Sequence, residues 1–334
     1  MRHLLLATIL ALLAVGPALA RQPVIDMHVH ADTVADYPPG MQYCVPLMDN
    51  EPVLDHSRPY AEQYGAAWFD AACDDPLIAA TSDEDLLART IERLEANNAI
   101  ALLQGSPERV RAWMAAAPDR FIPSVDLRLG RSNPPLDIET MRRLFTDGGF
   151  VMLGEVTNQY VGIEPDDDRM RPYWALAEEL DVPVGYHMGL GPPGAAAFYP
   201  EFSVATGNPL LLEPILRRHP GLRISIQHMA FGFHDELKMM LWTYPQLYVE
   251  ISGPITWSDD FHTYLRDLVD AGLAGRIMFG TDSLVWPDML DRSIAIIEDA
   301  DYLTEQQKHD ILFGNAVRFL KLDESEARAR ATGG

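Results

Sequence analysis

Val24-Ile25-Asp26-Met27-His28-Val29-His30 is the stretch whose reading decides the architecture. Polar and aliphatic side chains alternate through it, the pattern of a strand whose successive residues face opposite ways. On that alternation Asp26, His28 and His30 share one face, and Ile25, Met27 and Val29 share the other and can pack on helices. Two imidazoles two residues apart on one strand make half of a metal site, although a lone H-x-H also arises by accident.

Seven more short apolar runs follow: Ala99–Gly105, Phe121–Leu127, Phe150–Val156, Val182–His187, Arg223–His228, Leu247–Ser252 and Arg276–Asp282. Amphipathic segments with helical periodicity separate them: Ser82–Asn97, Pro107–Ala117, Leu136–Phe145, Arg169–Leu180, Pro209–His219, Asp235–Trp242, Asp259–Ala271 and Pro287–Asp299, with Thr304–Leu320 added at the end. Start signals stand at Ser82, with Asp85 three residues on, and at Thr304. Stop signals stand at Gly148-Gly149 and His219-Pro220-Gly221. Eight strand–helix units over roughly 250 residues predict an α/β fold, a (β/α)8 barrel of the TIM type. The rival, an open doubly wound sheet, lacks its Gly-rich first turn after His30. The expected organisation is one domain over residues 21–322 and a flexible tail over 323–334. Two long loops, Ala31–Thr81 and Met188–Asn208, leave the carboxyl ends of the first and fifth strands, where barrel enzymes build their sites.

Several runs end on a polar residue. The fourth ends in Gly154-Glu155, the fifth in Tyr186-His187, the sixth in Gln227-His228 and the eighth in Thr281-Asp282. A barrel gathers strand ends onto one rim, so these side chains converge with His28 and His30. Imidazoles and carboxylates together suit zinc and related divalent ions.

With those residues in hand, the chain resembles the amidohydrolase superfamily over nearly its whole length, and most closely the amidohydrolase-related branch that includes aminocarboxymuconate-semialdehyde decarboxylase. The segment from Val24 to His30, His187, His228, Phe279-Gly280-Thr281-Asp282-Ser283 and Ile311-Leu312-Phe313-Gly314-Asn315-Ala316 carry the resemblance. It implies one or two divalent ions, Zn2+ first, with His28, His30, His187 and Asp282 as ligands. His228 would bind a second metal or polarise the substrate. Glu155 stands where many binuclear members carry a bridging carboxylated Lys, and either bridges two ions or hydrogen-bonds within the rim of a one-metal site. The expected activity is a metal-dependent hydrolase that cleaves a C–N or C–O bond of an amide, lactone or ester by activated water, with Asp282 as base. The alternative is non-oxidative decarboxylation of an unsaturated or aromatic acid. A third reading is a non-catalytic, metal-containing periplasmic binding protein.

Residues outside this set are softer candidates. Arg128 could hold a substrate carboxylate, or end in a surface salt bridge. Gln159, Tyr160, Trp257 and Trp286 follow strand ends and could line the pocket. Glu250 either turns into the barrel or sits at an exposed edge.

The chain has 334 residues, 26 Lys plus Arg against 49 Asp plus Glu, and a formal net charge of -23. Such a charge repels phosphate backbones and excludes nucleic acid as an expected partner. Arg2 and His3, an apolar run from Leu4 to Val15, and Ala18-Leu19-Ala20 read as a cleaved signal peptide over residues 1–20, too short for a membrane span. The protein is therefore expected to be periplasmic or secreted, without a stable membrane anchor, acting on a small molecule and assembling as a homodimer. In an oxidising compartment Cys44 and Cys73 can form a disulfide; two free thiols or a metal site are the other readings.

Overall fold

The computed structural model describes residues 21–38, 40–44, 51–69, 73–130 and 135–333. The expected signal peptide lies outside the described residues. Eight strands pair in parallel and in chain order: β1 (Val24–His30), β2 (Ala99–Gln104), β3 (Phe121–Leu127), β4 (Met152–Val156), β5 (Val184–His187), β6 (Ile224–Gln227), β7 (Leu247–Ile251) and β8 (Ile277–Phe279). The Asp282 N–H donates to the His28 carbonyl at 2.8 Å, bringing the last strand's end back onto the first. This is the expected (β/α)8 barrel. Helices follow the strands, among them Asp83–Ala96, Pro107–Ala116, Ile138–Thr146 and Asp259–Asp270. Ser82 caps the first of these, its hydroxyl accepting from the Asp85 N–H, and Thr304 with Gln307 forms a reciprocal cap on Glu305–His309.

Strict alternation along β1 fails in an informative way. Asp26 pairs with Ala101 and Val29 with Leu103, so one extra residue bulges out of β1 between them. A bulge changes the phase of the side chains. Ile25 and Met27 accordingly join an apolar cluster with Ile100, Leu102, Ile122, Met152 and Met278, while Val24 and Val29 belong to the larger cluster with Ala101, Leu103 and Phe121. The expectation that Ile25, Met27 and Val29 share a face is corrected, and His28 and His30 keep a common one.

The smaller cluster also contains Phe313, Ala316, Phe319, Ala327 and Ala331 from the chain's end. The expected flexible tail is a helix over Glu324–Thr332. Asp323 caps it through the Glu326 N–H, and Ala327 and Ala331, four residues apart, are buried. Arg120 donates to the Ala331 carbonyl at 2.8 Å, and Arg330 to the Phe121 carbonyl at 2.8 Å, so this helix is fastened where β3 begins.

The loop after β1 is ordered over its described parts. Gln42–Tyr43 pairs antiparallel with Leu77–Ile78, Tyr60–Phe69 is helical, and a disulfide joins Cys44 to Cys73. The Met41 carbonyl accepts from Trp286 Nε1 at 3.2 Å, and the Ala80 N–H donates to the Val285 carbonyl at 2.8 Å, tying the loop to the chain just past β8.

Candidate metal centre and active site

Each member of the polar cluster owes its place to a strand end. His28 and His30 come from β1, Glu155 from β4, His187 from β5, His228 directly after β6, and Asp282 three residues past β8. His228, Met229, Ala230 and Asp282 all have left-handed backbone, with φ of 54°, 54°, 41° and 57°. Non-glycine residues hold that conformation at a cost, and it recurs at functional sites.

The six residues converge. His28 Nε2 and His30 Nε2 face each other at 3.0 Å, and Asp282 Oδ1 lies 3.5 and 3.2 Å from them. Glu155 Oε1 accepts from His187 Nδ1 at 2.8 Å and lies 3.2 Å from His228 Nε2; its other oxygen is 3.7 Å from His30 Nε2. Two triads, His28 with His30 and Asp282, and Glu155 with His187 and His228, could each hold an ion.

Behind this layer, Glu250 Oε2 lies 3.2 Å from His28 Nδ1, which settles Glu250 as a residue of the barrel interior. Asp26 accepts from the N–H groups of His28 and Thr281, both at 3.0 Å, and from the Thr281 hydroxyl at 2.7 Å, clamping β1 to the chain after β8.

Electrostatics explain why so many titratable groups tolerate burial. Burial opposes charge on Glu155, but hydrogen bonds from His187 and His228 overcome it and hold the carboxyl well below its usual range. Asp282 is likewise lowered, against burial, by His28, His30 and His228. Burial pulls His30 and His228 down, yet the surrounding carboxylates raise them to about 10 and about 9. His187 goes down, through burial and its neighbour His228. Burial pushes Asp26 up to about 7 despite its three donors.

Such a cluster collects positive charge, as protons or as a metal ion. The donors fit a divalent ion: imidazole nitrogens and carboxylate oxygens within coordination reach of common points. Buried His30 Nδ1 and His187 Nε2 have no hydrogen-bond partner among the described residues.

The softer candidates separate. Tyr160 packs its ring 5.0 Å from that of His187. Arg128 pairs with Asp126 at 2.8 Å; Asp126, Asp32 and Glu155 all raise its guanidinium, which places it beside the cluster already partly neutralised. Gln159 does not line a pocket. It is buried and donates to the Gly189 carbonyl at 2.6 Å, bracing the loop after β5. Trp286 is buried too, its ring 4.7 Å from that of Tyr43, and serves to anchor the first loop. Trp257 borders a surface crevice with His262, Arg292 and Asp299. Sequence reasoning missed Tyr37 and Asp32. The Tyr37 hydroxyl donates to Asp32, and burial, Asp32 and Asp282 raise the phenol. Their proximity to Asp282 comes from the path of a fifty-residue loop, which leaves no periodic signal.

A parallel barrel with a candidate metal site at the carboxyl ends of its strands is the architecture of the amidohydrolase class of barrel enzymes. The amidohydrolase family pattern matches residues 25–322, and the chain belongs to that family. It is 28% identical over 274 residues to a gamma-resorcylate decarboxylase of Rhodococcus jostii, covering 69% of this chain and 79% of that protein. It is 29% identical over 255 residues to a gamma-resorcylate decarboxylase of Rhizobium sp., covering 63% of this chain and 72% of that one. The fold matches a dihydroxybenzoic acid decarboxylase of Polaromonas sp., solved with bound manganese and an inhibitor, at a TM-score of 0.51 and 18% identity over 90% of this chain and 97% of the other. Hydrolysis of an amide, lactone or ester, the expected activity, is overturned by these relatives, which are decarboxylases; they back the alternative reading.

Proposed function

We propose that this protein is a metal-dependent, non-oxidative decarboxylase of hydroxylated aromatic acids. The observation that carries the reading is the match to gamma-resorcylate decarboxylases over most of the barrel, in a chain whose own strand ends bring four imidazoles and two carboxylates together. The overall change is simple: the bond from ring carbon to carboxyl carbon breaks, its electron pair stays with the ring, a proton adds there, and carbon dioxide leaves. No oxidant is needed.

A divalent ion held by His28, His30, His187, Glu155 and Asp282 would supply Lewis acidity that binds substrate oxygens and draws charge from the ring. Zn2+ and Mn2+ are the ions to test first. Asp282 is the most open member of the cluster, with 19% of its side chain exposed against 8% for Glu155 and 9% for His228. That exposure suits it to take a proton from solvent and deliver it to the ring carbon. His228 stands across from it and holds a proton on a ring nitrogen or orients the substrate. Tyr160 and Tyr37 supply aromatic wall, and Arg128 faces the substrate's remaining anionic group.

Carbon dioxide release from a panel of hydroxybenzoates, 2,6-dihydroxybenzoate and 5-carboxyvanillate included, tests the reading, with Zn2+ or Mn2+ supplied. Release that chelation abolishes supports it. No release from any member, by protein shown to bind the ion, refutes it.

We also infer export. The order of residues 1–20 and the Cys44–Cys73 disulfide support an oxidising compartment. Protein from the cell envelope or medium should begin at Arg21.

A further inference from the structure

Ser252 lies just past β7, fully buried, and its single hydroxyl hydrogen settles the chemistry of two cluster histidines. Its oxygen is 2.9 Å from Glu250 Oε2, 3.0 Å from His228 Nδ1 and 3.2 Å from His28 Nδ1. A carboxylate oxygen can only accept, so the hydroxyl donates to Glu250. Its lone pairs are then left facing the two imidazoles. His228 Nδ1 has to be an N–H donor to that oxygen. His28 Nδ1 has to be one as well, since Glu250 Oε2 also lies 3.2 Å from it; the Gln227 side-chain amide, 3.3 Å away on its nitrogen side and with its oxygen otherwise unpartnered, then turns that oxygen to the same N–H. In the metal-free cluster His228 also carries a proton on Nε2 and donates it to Glu155; once an ion takes that proton's place, an imidazole protonated on Nδ1 has its lone pair on Nε2. Those are the atoms aimed into the cluster, His28 Nε2 at His30 and His228 Nε2 at Glu155.

The geometry points to Ser252 as a positioning residue: with Glu250 it fixes His228 in the Nδ1–H form, so that Nε2 is presented to the bound ion or the substrate. Without the hydroxyl, Nδ1 loses its acceptor, and Glu155, 3.2 Å from Nε2, draws the proton to the other nitrogen. The inference rests on reading the cluster as a metal centre, and does not depend on which acid is decarboxylated. Partners that orient a ligating histidine in this way are generally worth about 10–100-fold in metal affinity.

The test uses full-length, 15N-labelled protein loaded with Zn2+, which is diamagnetic. Two-bond 1H–15N correlation spectra report each imidazole's tautomer, and the His228 signals are assigned by their loss in His228→Asn. The wild-type signals should show the Nδ1–H pattern. Ser252→Ala should shift or mix that pattern and weaken Zn2+ binding about 10–100-fold in competition with a chelator. A folded Ser252→Thr, which keeps the hydroxyl, should restore both. An unchanged tautomer in Ser252→Ala with affinity within about twofold overturns the inference, as does an Nε2–H pattern in wild type or a folded Ser252→Thr that restores neither. The Ala arm decides alone should the Thr variant fail to fold. Wild-type protein that binds no Zn2+ would strike the metal centre itself, and a lack of carbon dioxide release would strike only the reaction.

Discussion

Gly280→Ala should unsettle the metal cluster from behind. A Cβ at Gly280 would overlap Glu250 Oε1, and would stand 2.8 Å from Glu250 Cδ and 3.0 Å from His28 Cβ. Ordinary carbon–carbon contact is about 3.5–4.0 Å, so the carboxyl must retreat by roughly an ångström. It has no room to swing: Glu250 is buried and already engaged by Ser252 and His28. Overpacking a core costs about 1–3 kcal/mol, and a lost hydrogen bond to a carboxylate about 1.5–3 kcal/mol. Together these come to roughly 2.5–6 kcal/mol. At about 2 °C per kcal/mol for a chain of this length, Tm should fall by roughly 5–12 °C. His28 also loses the partner that orients it, so metal affinity should drop about 10–100-fold. Thermal unfolding with and without Zn2+, and chelator competition, measure both. Gly275→Ala is the control, since a Cβ there meets nothing within 4 Å, and it should stay within about 0.5 kcal/mol of wild type. A Gly280→Ala protein with wild-type Tm and metal affinity would refute the reasoning.

Three further outcomes are expected. Asp282→Asn should keep measurable metal and lose turnover by about 10²–10⁴-fold, because an amide oxygen can ligate but cannot deliver a proton; metal analysis beside a rate assay decides it. Cys44→Ser with Cys73→Ser should lower stability by about 3–4 kcal/mol in the chain-entropy model for a separation of 29 residues, read by thermal unfolding under oxidising conditions. Burial opposes charge on Glu178, but hydrogen bonds from His219 at 2.7 Å and the Gly221 N–H hold it below 4.5. Its stabilisation is therefore present above pH 4.5 and lost as pH falls through the lower folded value, so Glu178→Gln should flatten the acid side of a Tm-against-pH curve.

The sequence speaks clearly where burial forces a pattern. A barrel strand is covered on both faces, so β2 and β8 appear as short apolar runs, and a polar residue closing such a run stands out. His187, His228, Glu155 and Asp282 were legible for that reason. What depends on a one-residue phase shift was not. The bulge between Asp26 and Val29 changes no composition, yet it alters which apolar side chains join which cluster. The terminal helix hid behind charge: Ala327 and Ala331 mark a narrow buried stripe, spaced four apart in a segment otherwise rich in Glu and Arg. Trp286 and Gln159 were placed at the right strand ends but turn into the protein, because each has a carbonyl of a long loop to satisfy.

The reaction was the part least written in the residues. The same ligand set serves water attack on a carbonyl and loss of carbon dioxide from a ring. The two differ in the direction in which Asp282 moves a proton, taken from water in one case and given to carbon in the other. Loss of activity in Asp282→Asn fits both directions, so the distinction needs a label. In D2O, decarboxylation must leave one deuterium on the ring carbon that carried the carboxyl, since the electron pair released there is captured by a proton of solvent origin. The product should gain one mass unit in mass spectrometry, and the 1H NMR signal at that single position should be missing. Wild-type protein with Zn2+ or Mn2+ and 2,6-dihydroxybenzoate is the reaction to run first, and a substrate that turns over without placing deuterium on that carbon would remove Asp282 as the acid and the decarboxylase reading with it.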